Sequence, residues 1–134
     1  MSTVTLSIRV PTATKRWLER FSKGRGSGGA AAALLLEEAR RREIFSAVDF
    51  CDTTAGRLAY VHGTRVPVFL ACRLGVDLPP SKLAAHYGWP LWQAESALAY
   101  GRMFSDEMAE DAQFWSEAED EVSLRLPGLH TFTA

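Results

Sequence analysis

The sequence is poor in the residues from which most catalytic and metal sites are built. Its 134 residues include only two cysteines and three histidines. The histidines, His62, His86 and His130, are scattered without the short spacings that metal ligands show. No serine stands in a nucleophile-elbow pattern, and no carboxylates are arranged as a catalytic pair. We therefore expect no enzyme, no bound metal and no cofactor.

Long apolar runs and secretion signals are also missing. No apolar run approaches the roughly 20 residues that a membrane span needs. The first residues show no succession of basic, apolar and cleavage-site segments. We interpret Cys51 and Cys72 as packed thiols of a cytoplasmic protein, because they lie in no metal or redox spacing. The length fits one ordinary domain or two very small ones, with no membrane contact.

The charges are divided between the two ends of the chain. Residues 1–45 carry nine Lys/Arg and four Asp/Glu, a net +5, whereas residues 46–134 carry six and twelve, a net −6. Eight acidic residues and no basic one fall between Ser105 and Val122. The basic residues 1–45, called the head below, suit binding to a polyanion. The acidic C-terminal end, called the tail, suits binding to a basic protein surface.

The head begins with an alternating segment, "TLSIRVP". Apolar and polar residues alternate along it, which predicts a strand with Val4, Leu6, Ile8 and Val10 on one face and Thr3, Thr5, Ser7 and Arg9 on the other. A lone strand is marginal in water and its bare edge invites another chain. We therefore predict that the missing strand comes from a second copy. The helix "TATKRWLERF", the turn "SKGRGSGG" and a helix capped by Ser27 follow.

Strand, helix, glycine-rich turn and helix in this order resemble the ribbon-helix-helix family of Arc/MetJ-type repressors. The resemblance implies a homodimer or higher even oligomer whose antiparallel ribbon enters the major groove of operator DNA. It implies base readers at Thr5, Ser7 and Arg9, an outlying one at Thr3, and phosphate anchors at Ser27, Gly28 and Gly29. Lys15 and Arg25 are expected to contact phosphates. The alternative is that the polar row is merely the solvent face of an edge strand.

We interpret residues 46–134 as mainly helical, with one β-hairpin. "RLAYVHGTRVPV" predicts two strands around His62-Gly63, followed by helices in "VFLACRLG" (ended by Gly75 at C′), "PPSKLAAHYG" (ended by Gly88) and "PLWQAESALAYGRMF". A last helix from Ser105 carries an apolar stripe, and "SLRLPGLHTFTA" is expected to be an extended arm. The predicted fold class is mostly α with short β, divided into residues 1–45, 46–104 and 105–134.

The body resembles the domain-of-unknown-function family 433 in "GTRVPV" (Gly63 to Val68), in the Leu74-Gly75 helix end, in "LAAHYG" and in "ALAY". Members of that family are commonly antitoxins of the VapB kind beside a PIN-like nuclease toxin. Its three helices also read as a helix-turn-helix, with Ala84, Gly88 and Leu98 at the small, turn and core positions. We favour packing or protein binding for this unit, because the would-be recognition helix has few cations.

These patterns predict a type II antitoxin that neutralises a cognate toxin and represses its own operon. The alternative is a stand-alone dimeric transcriptional regulator whose acidic half serves oligomerisation or effector binding. Two site assignments stay open. Arg65 either orders the hairpin through backbone carbonyls or faces a partner. The stripe of Met108, Ala112, Trp115 and Val122 either packs on its own domain or enters a groove of a basic partner. Arg125 is the candidate cation of the arm, bent at Pro127-Gly128, that enters the toxin.

Overall fold

The computed structural model describes residues 2–125, and for residues 123–125 it describes the backbone alone. Within this range the chain is mostly helical and contains one small two-stranded antiparallel sheet, which confirms the predicted fold class at this level. The elements are α1 (Thr12–Phe21), α2 (Gly28–Ile44), β1 (Val48–Thr53), β2 (Gly56–Val61), α3 (Val68–Gly75), α4 (Pro80–Tyr87), α5 (Leu91–Met103) and α6 (Ser105–Arg125). None of the helices in the described range has the length and apolar character needed to cross a lipid bilayer.

The chain divides into two compact units, Met1–Ala39 and Arg40–Ala134. The division falls inside α2, and α6 belongs to the same unit as the hairpin and α3 to α5. The boundaries after residues 45 and 104 stay predictions.

The first unit contains the N-terminal segment, α1 and most of α2. Residues 2–10 form neither helix nor strand within the single chain. The predicted strand needs a second copy as its partner, so its formation stays a prediction. Pro11 adopts an extended conformation (φ −58°, ψ 151°) and its carbonyl accepts the first helical hydrogen bond from the Lys15 amide at 3.1 Å. Trp17 and Phe21 stack on one side of α1 with ring centroids 5.5 Å apart.

The core of the second unit is built around Tyr100, which is fully buried. Phe45 contacts the Tyr100 ring edge-on at 5.3 Å, and Phe50 of β1 approaches the same ring at 6.2 Å. The other large side chains that are fully buried are Leu58, Leu83, Val48, Val61, Val68 and Pro67. The hairpin and α3 to α5 therefore share one apolar core, as a unit of this size requires.

Two helix ends show how local and tertiary signals differ. Gly88 ends α4 in the left-handed conformation (φ 72°), as the sequence predicts for a C′ glycine. Gly75 is different, because it is the last residue of α3 and the cap is Val76 in right-handed helical conformation. The assignment of Gly75 to C′ is therefore wrong. A Cβ at position 75 would lie 2.5 Å from a Leu98 methyl, so this glycine serves the close approach of α3 and α5.

The hairpin lies one strand earlier than predicted. Its tight turn is Thr54-Ala55, with Thr53 paired to Gly56 and Val48 to Val61. The chain also reverses after Val61, but the returning segment makes only an isolated bridge between Tyr60 and Pro67. Proline has no amide hydrogen to extend a ladder and here starts α3, so the second predicted strand does not form.

Candidate interaction sites

The N-terminal segment leaves an apolar row uncovered. Val4 is 92% exposed, Leu6 67%, Ile8 60% and Val10 44%. These four side chains line an open groove of about 590 Å³. Ser7, which was predicted on the opposite face, also lines this groove in the single chain, together with Leu18 of α1 and with small residues and Leu36 of α2. An exposed apolar patch of this kind is typical of binding surfaces.

The predicted base readers and phosphate contacts are all accessible in the first unit. Thr3, Thr5, Ser7, Arg9 and Lys15 are exposed. The Arg25 guanidinium lies 4.1 Å above the Phe21 ring, so the aromatic face holds this cation beside the turn.

The N-terminus of α2 has the predicted cap. The Ser27 hydroxyl accepts a hydrogen bond from the Ala30 amide at 3.1 Å, which is N-capping geometry. Gly28 and Gly29 are exposed, and a Cβ at Gly28 would meet nothing within 4 Å. The first amides of a helix lack intrahelical acceptors and attract anions. This end of α2 is therefore sterically open to an anion.

In the second unit, the "GTRVPV" stretch forms a closed turn held by Thr64. The Thr64 hydroxyl donates to the Val61 carbonyl at 2.7 Å and accepts from the Val66 amide at 3.0 Å. The Val61 amide in turn donates to the Val66 carbonyl at 3.0 Å. Pro67 is buried immediately after this turn. The turn is thus ordered by Thr64 and the backbone, without help from the arginine in its middle.

Arg65 stands at the outside of that turn. Its side chain is exposed and makes no hydrogen bond or ion pair with any residue of the described range. The first of its two interpretations, ordering the hairpin through backbone carbonyls, is therefore wrong. A guanidinium presented from a closed turn is available to a partner.

A groove of about 450 Å³ lies between this turn, the hairpin and Trp115 of α6. The walls contributed by the hairpin include Phe50, Cys51 and Tyr60. The same Trp115 also borders a smaller cavity of about 120 Å³ formed with the hairpin tip and Val122. One indole therefore connects two adjoining depressions.

Asp49 is the best-bonded carboxylate of the groove. Arg42 approaches one carboxylate oxygen at 3.1 Å and the His62 ring approaches the other at 3.3 Å, while the Phe50 amide donates at 2.8 Å. Partial burial opposes ionisation of this carboxyl. The hydrogen bonds from Phe50, Arg42 and His62 outweigh burial and hold the pKa of Asp49 below its usual value. Its negative charge is therefore largely compensated at neutral pH.

The apolar stripe predicted on the last helix packs mainly on its own unit. Met108 is 8% exposed and belongs to the core, and Ala112 and Trp115 pack against that core. The Trp115 ring contacts Phe69 at 5.8 Å, and its indole N–H donates to Glu119 at 2.9 Å. Val122 remains 37% exposed. Of the two open alternatives for the stripe, the structure shows the intramolecular one for Met108, Ala112 and Trp115.

The acidic side of α6 contains one perturbed carboxyl. Burial first, and then the charges of Glu107 and Glu110, raise the pKa of Asp111 to about 6. Glu117 and Asp120 are exposed on the same helix. Exposed carboxylates of α6 are thus presented to solvent.

Arg125 is the last residue of α6, so the expected extended arm does not begin at Ser123. The helix continues through Ser123–Arg125 because the first helix-breaking signal in the sequence is Pro127. The Arg125 side chain, the Pro127-Gly128 bend and His130 lie outside the described residues.

The predicted helix-turn-helix positions lie on α4, on α5 and in the turn between them. Ala84 and Leu98 are buried and Gly88 forms the turn between α4 and α5, while Arg102 and Glu95 are exposed. Between residues 2 and 125 there is no group of three or more His, Cys, Asp or Glu side chains that could hold a metal ion.

Sequence reasoning missed the groove because it missed β1. "VDFCDT" carries the aromatic and β-branched residues typical of strands, with Thr54-Ala55-Gly56 behind it as a turn. That signal was available, but the assembly of Phe50, Tyr60 and Trp115 around one depression depends on three separated segments.

Comparison of the chain with protein-family models, with curated proteins and with solved structures finds no match.

Proposed function

We propose that this chain is a type II antitoxin with a dimeric, DNA-binding head and a toxin-binding body. The observation that carries the head's role is the uncovered row of Val4, Leu6, Ile8 and Val10 along an apolar groove. A second copy placing the same row against this one buries both grooves in an isologous interface. The segment's free backbone groups then pair across the two copies as an antiparallel ribbon.

Such a ribbon leaves Thr5, Ser7 and Arg9 on the opposite face. Hydroxyls bond to any base edge, and arginine is suited to the O6 and N7 acceptors of guanine. Residues 1–45 carry a net +5, which supplies the phosphate attraction that DNA binding needs. The open N-terminus of α2 adds a phosphate anchor beside the ribbon. This arrangement supports operator binding and repression.

The body supports the antitoxin role through its exposed acidic helix. An RNA-cutting toxin presents cations to its substrate's phosphates, and carboxylates of α6 complement such a surface. The resemblance of "GTRVPV" and the following helices to antitoxin-family proteins points to the same partner, a PIN-like nuclease.

The second candidate is a stand-alone dimeric regulator. It is favoured by the packing of Met108 and Trp115 on their own unit, because an α6 already buried along one side needs no partner groove. Under this alternative the acidic surface of α6 serves oligomerisation or effector binding instead.

Charge removal on α6 distinguishes the two. Stopping the chain after Phe104 would also strip Met108 from the core, so surface variants are the sharper test. The combined variant Glu117→Gln with Asp120→Asn should fold normally and repress normally, yet protect cells poorly when co-expressed with the adjacent gene product. Glu95→Gln, at an exposed position of α5, is the matched control and should protect fully. If the adjacent gene product is neither toxic nor bound by the wild-type chain, the regulator alternative replaces the antitoxin.

A further inference from the structure

The turn before α3 presents one cation to solvent in a fixed position. Thr64 closes the turn through its bonds to Val61 and Val66, and Pro67 is buried directly behind it. Such a preordered loop loses little conformational freedom when it binds another molecule. Arg65 projects from this turn, and no residue of the described range pairs with it.

The charges that line the neighbouring groove are otherwise compensated. Asp49 is held by Arg42 and His62, and Asp52 lies 3.4 Å from the Arg57 guanidinium. Among the charged side chains of the described residues that line the groove, Arg65 is therefore the one without a counter-ion. The groove also has an aromatic lining that includes Tyr60 and Trp115.

We propose that this groove binds a protein segment in which a carboxylate stands next to a large apolar side chain. The carboxylate pairs with Arg65, whose guanidinium is suited to bidentate hydrogen bonding with it. The apolar side chain enters the groove beside Trp115. A nucleic-acid strand fits less well, because among the described residues that line the groove its successive phosphates would meet one unpaired cation, Arg65. The site rests on the proposed function in one respect, namely that the segment belongs to the toxin.

A partner bound in this way meets charges of both signs. Its acidic residue pairs with Arg65, while its basic surface faces the carboxylates of α6. Opposite charges at two separate places fix the orientation of a partner and exclude a reversed one. The groove thus supplies specificity that the acidic helix alone does not provide.

The first experiment needs no toxin. The full-length 15N-labelled chain is titrated with the capped peptide Gly-Phe-Asp-Leu-Gly and with its Gly-Phe-Asn-Leu-Gly counterpart. The Asp peptide should shift the amide signals of Cys51, Gly63 and Arg65 and the Trp115 indole signal in the wild type and in Lys82→Glu. It should not shift them in Arg65→Glu, which makes the same charge change within the groove, or in Cys51→Trp, which fills it. An absence of shifts, equal shifts with the Asn peptide, or the same shifts with an oligothymidine overturns the proposal.

The second experiment measures affinity for the adjacent gene product. Arg65→Glu and Cys51→Trp should each weaken binding about tenfold or more, the scale of an interface hot spot, whereas Lys82→Glu should bind like the wild type. If all three variants bind equally, the groove is not the toxin site although the antitoxin function stands. If the wild type does not bind, the antitoxin function fails, and the peptide titration still decides whether the groove binds acidic segments.

Discussion

Arg41 and Glu107 face each other through two parallel hydrogen bonds of 2.7 and 2.9 Å. The same guanidinium donates to the Tyr100 hydroxyl at 2.9 Å and lies 3.7 Å above the Phe104 ring. Arg41, in the last turns of α2, thus gives the buried Tyr100 hydroxyl its hydrogen-bond partner. It also binds the first turn of α6 through Glu107. Burial raises the pKa of Tyr100 to about 12, although the Arg41 hydrogen bond works in the opposite direction.

Replacing Arg41 by alanine should destabilise the second unit by about 2–3 kcal/mol, because hydrogen bonds to charged groups are lost and a buried hydroxyl is left without its partner. Urea denaturation measures the change. Arg42→Ala is the matched control, since its pair with Asp49 has both side chains about 40% exposed (41% and 42%) and should contribute less than about 1 kcal/mol. Equal losses in the two variants would contradict the assigned role of Arg41.

The contact between α3 and α5 gives a second prediction. A Cβ on Gly101 would overlap the Cys72 sulfur, so Gly101→Ala should cost about 1–3 kcal/mol through overpacking. Cys72→Ala in the same chain should recover part of that loss, because it removes the sulfur. Gly28→Ala, where a Cβ meets nothing within 4 Å, is the control and should leave stability unchanged or slightly raised. A double-mutant cycle without coupling between positions 72 and 101 would rule out the proposed contact.

The raised pKa of Asp111 predicts that the stability of the second unit depends on pH. Its folded-state pKa of about 6 lies above the ordinary value of 3.8, so the folded chain holds a proton that the unfolded chain releases. Stability should therefore fall as pH rises from about 4 to about 6. Asp111→Asn should raise the free energy of unfolding at pH 8 by on the order of 1 kcal/mol, since half-exposure screens the charge. The gain should vanish near pH 4. Asp120→Asn on the exposed surface is the matched control and should change the free energy of unfolding at pH 8 by less than about 0.5 kcal/mol.

The alternation of the N-terminal segment can be tested by placing one charge on each face. Ile8→Asp should give a monomer in sedimentation at micromolar concentration, because an aspartate on the shared apolar face would be buried without a partner. Ser7→Asp puts the same charge one residue away on the polar face. It should remain dimeric but lose DNA binding through repulsion by phosphates. If the wild type itself is a folded monomer at this concentration, the ribbon model is refuted.

Arg9 and Lys15 should differ in the kind of DNA binding that each supports. Arg9→Ala should cost about 1–3 kcal/mol and relax base preference at one position per half-site. Lys15→Ala should weaken binding to all sequences alike and reduce the salt dependence. Gel-shift series on the upstream region, repeated over a range of salt concentrations, separate the two. If Arg9→Ala binds like the wild type, the ribbon does not read the bases.

Local signals in the sequence determined most of the helices. Pro67, Pro79 and Pro90 each stand in extended conformation immediately before a helix, because the proline ring fixes φ. Gly88 ends α4 because glycine, without a Cβ, adopts the left-handed conformation at little cost. The helix in "VFLACRLG" was predicted from the sequence, although Gly75 was misassigned as its C′ residue. The charge division between head and tail is likewise a property of the sequence alone.

Tertiary structure decided everything that depends on a distant partner. β1 carries strand-forming residues, but its pairing with β2 and its place in one groove with Trp115 depend on segments outside it. Position 75 needs a glycine because a Cβ there would clash with Leu98, and not because a left-handed cap requires one. This reason is visible only once α3 has packed against α5. Trp115 joins the core and the groove because α6 packs on Phe69. Helix periodicity identifies an apolar side, but the surface that covers it is set by packing between segments far apart in the chain.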